Sequence, residues 1–405
     1  MKITSATPAT IALAEELTTR VFKDPFLKMT IEKEEEFKYD NIRLLFADDG
    51  KLASTVCIGP KIMNFAGYTL TLGGVGGVAT DPAYRGRKYA NMLMVDAIKT
   101  MEKEGYDLSL LYPFKQEYYA QFGYSTVRTP FKVLKTTGLK KIKSAYVIKT
   151  QEKFKPVEIY SLSAIYQAFN FDTIGPLKRS FIYWQQKLER NMLLTEKIFI
   201  ARKKGEIVAY MILNKMKNDW ADETYRLKIG EMGCLCGEEK ALPALAQRAC
   251  KYAFSKNFKR VFYEDLPGVK LPLGKSPSAA EAEEYKNLKD IKMYRVINFH
   301  SLLKNLTPCW NSRLTAAGKN ITWQDSFTME RVVDENLQGI ITIILGGSEK
   351  TLVLAEADFV KMFLGYASFA ELKIKGKDTA TAKELETLEI IFPLGKPVNY
   401  DFDYL

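Results

Sequence analysis

The chain has 405 residues, 47% of them hydrophobic and 26% charged, a composition that supports several folded cores. Its net charge of +11 is spread along the chain without a helix-turn-helix, zinc-finger or RNP pattern, so we expect no nucleic-acid partner. No apolar run reaches the roughly 20 residues of a membrane span, and residues 1–5 lack the apolar region of a signal peptide. We therefore expect a cytoplasmic protein that does not associate with membranes.

Histidine and cysteine are too scarce for several kinds of catalytic or metal site. His300 is the single histidine, and no G-x-S-x-G turn accompanies it, which argues against a Ser-His-Asp hydrolase. Cys234 and Cys236 are two residues apart and share one face of a predicted strand. A metal pair is one alternative there, but no further Cys or His cluster completes four ligands. Two buried thiols are the favoured interpretation, and we expect no metal.

Residues 1–128 have the pattern of an α/β unit, read from the alternation of strands and the three-to-four spacing of helices. In chain order the predicted elements are a strand from Ile3, a helix over 11–22, a hairpin over 42–58, a strand over 68–79, a helix over 91–103 and a strand over 108–112. The strand at 68–79 contains four glycines, Gly73, Gly74, Gly76 and Gly77. Glycines inside a strand indicate a bulge or the close approach of another backbone.

A turn rich in arginine and glycine opens the helix that follows this strand. It consists of Arg85, Gly86, Arg87, Lys88, Tyr89 and Ala90. Helix N-termini present unpaired N–H groups and partial positive charge, and the arginines add formal charge. Such a turn suits a pyrophosphate, so we predict a phosphate-bearing cofactor. A basic surface turn before an ordinary helix is the alternative.

The same residues resemble a family signature. Val78, Thr80, Pro82 and Arg85 match the V-x-V-x-P-x-x-R line of the GCN5-related N-acetyltransferases (GNAT), and residues 85–90 match its R-x-x-G-x-[G/A] acetyl-CoA signature. Phe122, Gly123 and Tyr124 stand where that family has the same three residues. Lys88 replaces the central glycine of the signature. We expect Lys88 in the first helical turn with a negative φ, where glycine is not needed.

Two further units follow. Residues 157–288 carry a hairpin over 198–212, a strand over 225–236 and a helix over 241–254, in an order that echoes the first unit. Glu238 and Glu239 replace the basic turn before that helix, so we expect a degenerate copy that binds no cofactor. Residues 293–405 have an α+β pattern, with strands over 327–333 and 339–345 and helices over 359–365 and 385–392.

The whole chain resembles the Eis-type (enhanced intracellular survival) acetyltransferases. The matching residues beyond the first unit are Gly175, Arg179, Trp184, the segment 293–296, the segment 363–365 and the terminal aromatic residues. The resemblance implies two tandem GNAT-like α/β domains, over 1–128 and 129–288. An α+β domain resembling sterol carrier protein 2 (SCP2) is then expected over 289–405. It also implies a homo-oligomer, often a hexamer.

The resemblance also implies a chemistry, the transfer of acetyl from acetyl-CoA to an amine. Backbone amides of Val78, Ala79 and Thr80 would bind the acetyl carbonyl, residues 85–90 the pyrophosphate, and Phe114 would line the cofactor channel. Tyr124 would be the general acid, although a tyrosine that only packs at a strand end is the alternative. The C-terminal carboxylate of Leu405 would be the base, unless the terminus merely packs on the surface.

The acceptor implied by the resemblance is a small cationic amine, similar to an aminoglycoside or a polyamine. Asp24 and Asp403 are candidates to anchor it, and solvated loop carboxylates are the alternative. Two other functions stay open at this point. One is a protein-lysine N-acetyltransferase. The other is a carrier of hydrophobic ligands that uses the SCP2-like domain and has a vestigial acetyltransferase domain.

Overall fold

The structure is a computed structural model that describes residues 1–23, 38–128, 131–137, 142–189, 195–217, 225–264, 266, 269, 271, 291–335, 337–346, 350–395, 397–398 and 400. Across these residues the strands form three sheets. None of the helices within this part of the chain is both long and apolar enough to span a membrane. The mixed α/β architecture predicted from the sequence is confirmed.

The first sheet is built mainly by the N-terminal unit. Its strands are β1 (Lys2–Ser5), β2 (Ile42–Phe46), β3 (Leu52–Phe65), β4 (Tyr68–Thr80), β5 (Leu108–Leu111) and β6 (Ser125–Arg128). Two strands join from later in the chain, β9 (Ile174–Leu177) at the far end of β3 and β14 (Ile291–Val296) between β5 and β6. The order along the sheet is β1-β2-β3-β4-β5-β14-β6.

The second sheet repeats the pairing pattern of the first. Its strands are β7 (Phe131–Lys135), β8 (Val147–Thr150), β10 (Thr195–Lys203), β11 (Glu206–Lys217), β12 (Tyr225–Cys234) and β13 (Arg260–Glu264), in the order β7-β13-β12-β11-β10-β8. In each sheet an antiparallel run ends in one parallel pair, β4 with β5 and β12 with β13. An antiparallel strand then follows, β14 on β5 and β7 on β13.

The strands β7 and β14 are exchanged between the two sheets. β7 follows the first sheet in the chain but pairs in the second, and β14 follows the second sheet but pairs in the first. Main-chain hydrogen bonds therefore tie the two units together. The domain boundaries expected at 128/129 and 288/289 stay predictions. The strand Ile291–Val296 belongs to the first sheet by its hydrogen bonds, although it follows the second boundary.

The helices cover the sheets. They are α1 (Ile11–Phe22), α2 (Tyr89–Lys103), α3 (Gln116–Ala120), α4 (Pro156–Phe169), α5 (Phe181–Glu189), α6 (Ala241–Ser255), α7 (Phe299–Ala316), α8 (Trp323–Ser326), α9 (Glu356–Phe363) and α10 (Ala382–Ile391). The buried face of α2 is the one its spacing predicts, consisting of Leu93, Met94, Ala97, Ile98 and Met101. A side chain at Gly73 would come within 2.3 Å of the Met101 sulfur, so this glycine lets α2 pack against β4.

The third sheet consists of β15 (Phe327–Val333), β16 (Gly339–Leu345) and β17 (Thr351–Ala355). The first two strands are confirmed at the predicted bounds. The helix predicted over 385–392 begins three residues earlier because Thr381 and Glu384 form a capping box. The core of this unit is filled by aromatic rings, with Trp310 5.2 Å and Phe359 6.0 Å from Phe392.

The middle unit differs from the sequence interpretation at its two neighbouring cysteines. The strand predicted over 225–236 ends at Cys234, which is buried, and Cys236 lies beyond it and is exposed. The two thiols therefore do not share a buried strand face. Near the C-terminus, the described residues Val398 and Tyr400 pack into the core of the middle unit.

Candidate active site

The strands β4 and β5 separate at one end of the first sheet. Their parallel pairing runs from Leu72 opposite Leu108 to Val75 opposite Leu111 and then stops, whereas β4 continues to Thr80 with β3 on its other side. The β3–β4 ladder has a bulge in this part, and Gly77 adopts a φ of +58°. The last residues of β4 therefore line an opening, which we call the β4/β5 split. The glycines in this strand predicted the bulge.

The Thr80 amide at the end of β4 faces the split, whereas the Ala79 amide, predicted to act with it, is directed towards β3. The Asp81 N–H donates to the carbonyl of Ala53 on β3 at 2.9 Å. Because directions alternate along an antiparallel ladder, the amide of Thr80 is directed away from β3, towards the split. Ser54 Oγ donates to the Ala79 carbonyl at 2.7 Å and fixes the strand in this geometry. The end of β4 thus has the N–H donor that an acyl oxygen would need.

The basic turn and the start of α2 lie at the end of β4. Asp81 accepts a hydrogen bond from the Ala83 amide at 2.9 Å and begins the turn. The first bond of the α2 ladder runs from the Met92 N–H to the Lys88 carbonyl at 3.1 Å, so the amides of residues 89–91 precede the ladder. No side chain caps this helix start. These donors and the partial charge of the helix suit an anionic group.

Lys88 does not have the expected backbone conformation. It is the N-cap of α2, outside the helix, with φ 60° and ψ 22°. The prediction of a negative φ was wrong, because the helix begins one residue later, at Tyr89. The glycine of the family signature therefore corresponds to a left-handed position here, and a lysine holds it at a cost of about 1–2 kcal/mol.

The side chains of the turn are open to solvent and basic. Arg85, Gly86, Arg87 and Lys88 are all exposed. The Arg87 guanidinium lies over the Tyr84 ring, 5.3 Å from its centre. A Cβ atom at Gly86 would meet nothing within 4 Å. The turn has the charge, the amides and the open approach that a pyrophosphate requires, so the residues present fit acetyl-CoA at its diphosphate.

An aromatic cluster lies beyond the end of β5. Phe114 is 72% exposed, and its ring centre lies 5.7 Å from that of Tyr118 and 5.6 Å from that of Tyr119. Asn91 Nδ2 donates to Gln121 Oε1 at 3.2 Å, which links the start of α2 to the end of α3. Of this cluster, Phe114 alone was predicted from the sequence. The two tyrosines were detectable from the Y-Y pair that follows the strand.

Tyr124 is buried against β5 at Ser109, two residues before the pairing of β4 with β5 ends and the split begins. Its hydroxyl lies 2.7 Å from Ser109 Oγ, and Ser109 Oγ donates to the Gly73 carbonyl at 2.8 Å. Because a serine has one hydroxyl hydrogen, Tyr124 is the donor to Ser109. Burial raises the pKa of Tyr124 to about 12, and the bond with Ser109 and the charge of Arg295 oppose the shift. Tyr124 is thus protonated at neutral pH.

Arg295 joins this site from β14, in the third predicted unit. The guanidinium of this buried residue contacts the Phe122 carbonyl and donates to that of Leu337 at 3.0 Å. A Cβ atom at Gly123 would lie 2.2 Å from its Nη1, and Gly123 has a φ of +75°. The glycine before Tyr124 is therefore needed both for its conformation and for the approach of Arg295. Sequence reasoning missed Ser109 and Arg295.

The remaining predicted site residues are not among those the structure describes. Asp24, Asp403 and Leu405 lie outside the described residues. The last described residue is Tyr400, which is buried in the middle unit. The structure therefore brings together the β4 amides, the basic turn, Phe114 and Tyr124. The assignments to Leu405 and the two aspartates stay predictions.

Known proteins share this fold and this domain. Residues 2–127 match the family model of the acetyltransferase (GNAT) domain. A search of curated proteins found no match. Among solved structures, a GCN5-related N-acetyltransferase from Anabaena variabilis is 16% identical with a TM-score of 0.67, over all of both chains. A conserved protein from Enterococcus faecalis is 17% identical with a TM-score of 0.66, over 100% of this chain and 99% of that one.

A third similar structure is Eis1 from Mycobacterium abscessus. It is 11% identical with a TM-score of 0.60, and the match covers all of both chains. At such identities the likeness concerns the fold. The family match concerns the chemistry, since GNAT domains take acetyl from acetyl-CoA. The chain therefore contains a GNAT domain at residues 2–127 and is an N-acetyltransferase.

Proposed function

We propose that this N-acetyltransferase is of the Eis type and acetylates primary amines of a small cationic substrate, similar to an aminoglycoside or a polyamine. The observation that carries the proposal is the β4/β5 split, with the Tyr124–Ser109 pair on one side and the open basic turn at its end. The similarity to Eis1 over the full length supports the three-domain organisation. In this proposal residues 129–288 are a GNAT-like domain without cofactor, and residues 289–405 resemble SCP2.

Acetyl-CoA supplies the acetyl group as a thioester when it is bound. The Thr80 amide, with that of Val78, would donate to the carbonyl oxygen and stabilise the charge that develops there, whereas the Ala79 amide is directed towards β3 by the same alternation. The amides of residues 89–91, with Arg85 and Arg87, would hold the diphosphate. The exposed ring of Phe114 would cover the apolar arm that lies between these two sites.

Tyr124 would act on the departing sulfur as a hydrogen-bond donor. A thiol has an ordinary pKa near 8.5, so a tyrosine with a pKa of about 12 does not transfer its proton completely without cost. Its role is therefore that of a hydrogen-bond donor to the developing thiolate, with proton transfer completed by solvent. Because the tyrosine hydroxyl has one hydrogen, this role requires that hydrogen to turn from Ser109 to the sulfur, and Ser109 then donates to Tyr124 in place of the Gly73 carbonyl.

The C-terminal carboxylate of Leu405 would take the proton of the amine. The described residues contain only His300 as an imidazole, and it lies on α7, outside the split. A carboxylate with an ordinary pKa near 3.5 is ionised at neutral pH and orients an ammonium group. Asp24 and Asp403 would add negative charge for a polycationic acceptor. The proposal also includes a homo-oligomer, with a hexamer as its expected form, in the cytoplasm and without a nucleic-acid or membrane partner.

The test is a thiol-release assay with acetyl-CoA over a panel of aminoglycosides, polyamines and lysine peptides. We expect turnover of the small polyamines or aminoglycosides. Turnover of lysine peptides alone would instead make the chain a protein-lysine acetyltransferase. The matched variants are Tyr124→Phe and Tyr68→Phe, because the Tyr68 hydroxyl bonds to the Pro308 carbonyl away from the split. Tyr124→Phe should lower kcat by roughly 10²–10⁴-fold without changing the KM for acetyl-CoA, and Tyr68→Phe should not.

A further inference from the structure

Three polar side chains lie in a row across the first sheet. β14 pairs with β5 so that Arg295 is opposite Ser109. On the other side of β14, Tyr294 is opposite Ser125 of β6, and the same register continued by one residue puts Arg295 opposite Tyr124. Residues opposite one another in a ladder have their side chains on the same face of the sheet. Ser109, Arg295 and Tyr124 therefore share one face, and the bond between Tyr124 and Ser109 spans the strand that carries Arg295.

The guanidinium of Arg295 is held beside Tyr124 by backbone carbonyls. Arg295 is 3% exposed. Its Nη1 contacts the carbonyl of Phe122, two residues before Tyr124, and donates to the carbonyl of Leu337 at 3.0 Å. Leu337 lies in the turn between β15 and β16 with a φ of 61°, a conformation that is uncommon for leucine. Both acceptors are neutral, so they fix the position of the guanidinium and leave its charge uncompensated.

Arg295 differs from other buried cations of this protein in having no carboxylate partner. Arg179 pairs with Glu231, and Arg331 pairs with Glu356. Among the described residues Arg295 forms no ion pair, and its Nε is buried without a hydrogen-bond partner. Both oxygens of Glu356, the acid with the largest effect on Arg295, accept from Arg331, at 2.8 and 3.0 Å. An unpaired buried charge is costly, and such costs are typical of functional sites.

The charge of Arg295 acts on Tyr124. Burial raises the pKa of Tyr124, whereas the bond with Ser109 and the charge of Arg295 lower it. Burial lowers the pKa of Arg295 in turn, and the negative charges of Glu356, Tyr124 and Glu102 oppose that shift. An arginine stays protonated even when buried. It therefore supplies a permanent positive charge beside the Tyr124 oxygen, in surroundings where charges interact more strongly than in water.

We propose that Arg295 is a positioning residue for Tyr124, and that its charge supports the hydrogen bond from Tyr124 to the departing sulfur. This inference rests on the proposed role of Tyr124. The amine nitrogen bonds to the acetyl carbon, and the electron pair of the C–S bond goes to the sulfur. Tyr124 donates to that sulfur and shares part of the negative charge, which Ser109 and Arg295 stabilise at the tyrosine oxygen. The catalytic site is in this way completed by β14, a strand from the third predicted unit.

The experiment is a double-variant cycle on the full chain. Arg295→Gln removes the charge and keeps an amide that can donate to carbonyls, whereas Arg295→Lys keeps the charge. Each is combined with Tyr124→Phe. The matched control is Arg313→Gln on α7, because Arg313 donates to the Ile391 carbonyl at 2.5 Å and its pKa is also lowered by burial. The readouts are kcat, the KM for acetyl-CoA and the midpoint of thermal unfolding.

We expect Arg295→Gln to lower kcat by roughly 10–10²-fold and Arg295→Lys by roughly 3–10-fold, with the KM for acetyl-CoA unchanged. Neither should lower kcat further in the Tyr124→Phe background, because residues that act as a unit have non-additive effects. Both variants should also lower the unfolding midpoint. Arg313→Gln should lower the midpoint and leave kcat unchanged.

The outcomes separate this inference from the role of Tyr124. If Tyr124→Phe lowers kcat but Arg295→Gln and Arg295→Lys lower it equally, or if the losses at the two positions multiply, Arg295 is structural and the role of Tyr124 stands. If Tyr124→Phe leaves kcat unchanged, that role is wrong and the inference is overturned with it. If Arg295→Gln does not fold, the cycle with Arg295→Lys decides, since a loss of kcat that persists in the Tyr124→Phe background overturns the inference.

Discussion

The hydroxyl of Tyr124 donates to Ser109 across 2.7 Å, and Ser109 donates in turn to the carbonyl of Gly73. This pair joins the start of β6 to β5, and through Gly73 to β4, at the residues where the two strands are still paired. The tyrosine therefore has a fixed position beside the split before any ligand arrives. Preorganisation of this kind avoids a reorganisation cost during the reaction.

Ser109→Ala should lower both catalysis and stability. The loss of the bond to Ser109 should leave the Tyr124 hydroxyl less well placed. We expect kcat to fall by roughly tenfold and the free energy of unfolding by about 1–3 kcal/mol. Ser125→Ala is the control, since Ser125 Oγ bonds to the Ala357 carbonyl at 3.0 Å. An equal fall of kcat in both variants would mean that Ser109 has no specific role in catalysis.

Stability should fall at alkaline pH partly because of Tyr124. Its pKa in the folded protein is about 12, whereas an unfolded tyrosine has a pKa near 10. Below pH 10 both states hold the proton and stability is unaffected. Between about pH 10 and 12 only the unfolded state loses it, so stability decreases with a slope of up to about 1.4 kcal/mol per pH unit.

Urea unfolding at pH 9, 10 and 11 measures this slope. Tyr124→Phe should unfold with a shallower pH dependence than the natural chain, because it lacks the titrating group. The same slope in both proteins would mean that the hydroxyl is accessible to solvent in the folded state.

Lys88→Gly should separate stability from cofactor binding. Glycine adopts the left-handed conformation of Lys88 without strain, although it adds entropy to the unfolded chain, so we expect a gain of roughly 0.5–1 kcal/mol. The loss of one cation at the turn should at the same time raise the KM for acetyl-CoA. Lys204→Gly is the control, because Lys204 has a φ of 52° in the turn between β10 and β11. It should give the stability gain alone, measured by thermal unfolding.

Arg85→Ala should weaken the binding of acetyl-CoA with little effect on the amine. The side chain is exposed beside the open start of α2, so its loss should raise the KM for acetyl-CoA by several-fold and lessen its dependence on salt. Titration calorimetry with CoA at two salt concentrations measures this directly. Lys99→Ala, on the exposed side of α2, is the control. An unchanged affinity for CoA in Arg85→Ala would make the turn a surface feature.

Much of the first unit was predictable because its signals are local. The apolar spacing from Leu93 to Met101 predicted the buried face of α2, and the glycines of β4 predicted the bulge beside the split. The basic turn was detectable because charge and helix start are adjacent in the chain. The hairpin over 42–58 was predicted in the same way, from alternation and turn residues. The strands β15 and β16 of the third unit were predicted from the same two signals.

What sequence reasoning missed depends on contacts between distant segments. Arg295 contacts the segment around Gly123 because its strand, β14, lies between β5 and β6. Nothing near either residue in the sequence indicates that contact. Ser109 was visible as a polar residue in an apolar strand, but its partner came from tertiary packing. The predicted conformation of Lys88 was wrong because sequence patterns place the start of a helix only to within a residue or two. A shift of one residue puts Lys88 outside the helix, where its φ is positive.

The exchange of β7 and β14 has a consequence for how the protein is made. When the ribosome has delivered residues 1–128, β5 and β6 have no strand between them, because that strand is Ile291–Val296. At ordinary translation speeds of about 5–20 residues per second, residues 129–291 take roughly 10–30 s to synthesise. Throughout that interval β5 and β6 present unpaired edges, which invite association with other nascent chains. The acetyltransferase sheet is therefore completed late, and its assembly depends on the middle unit having emerged first.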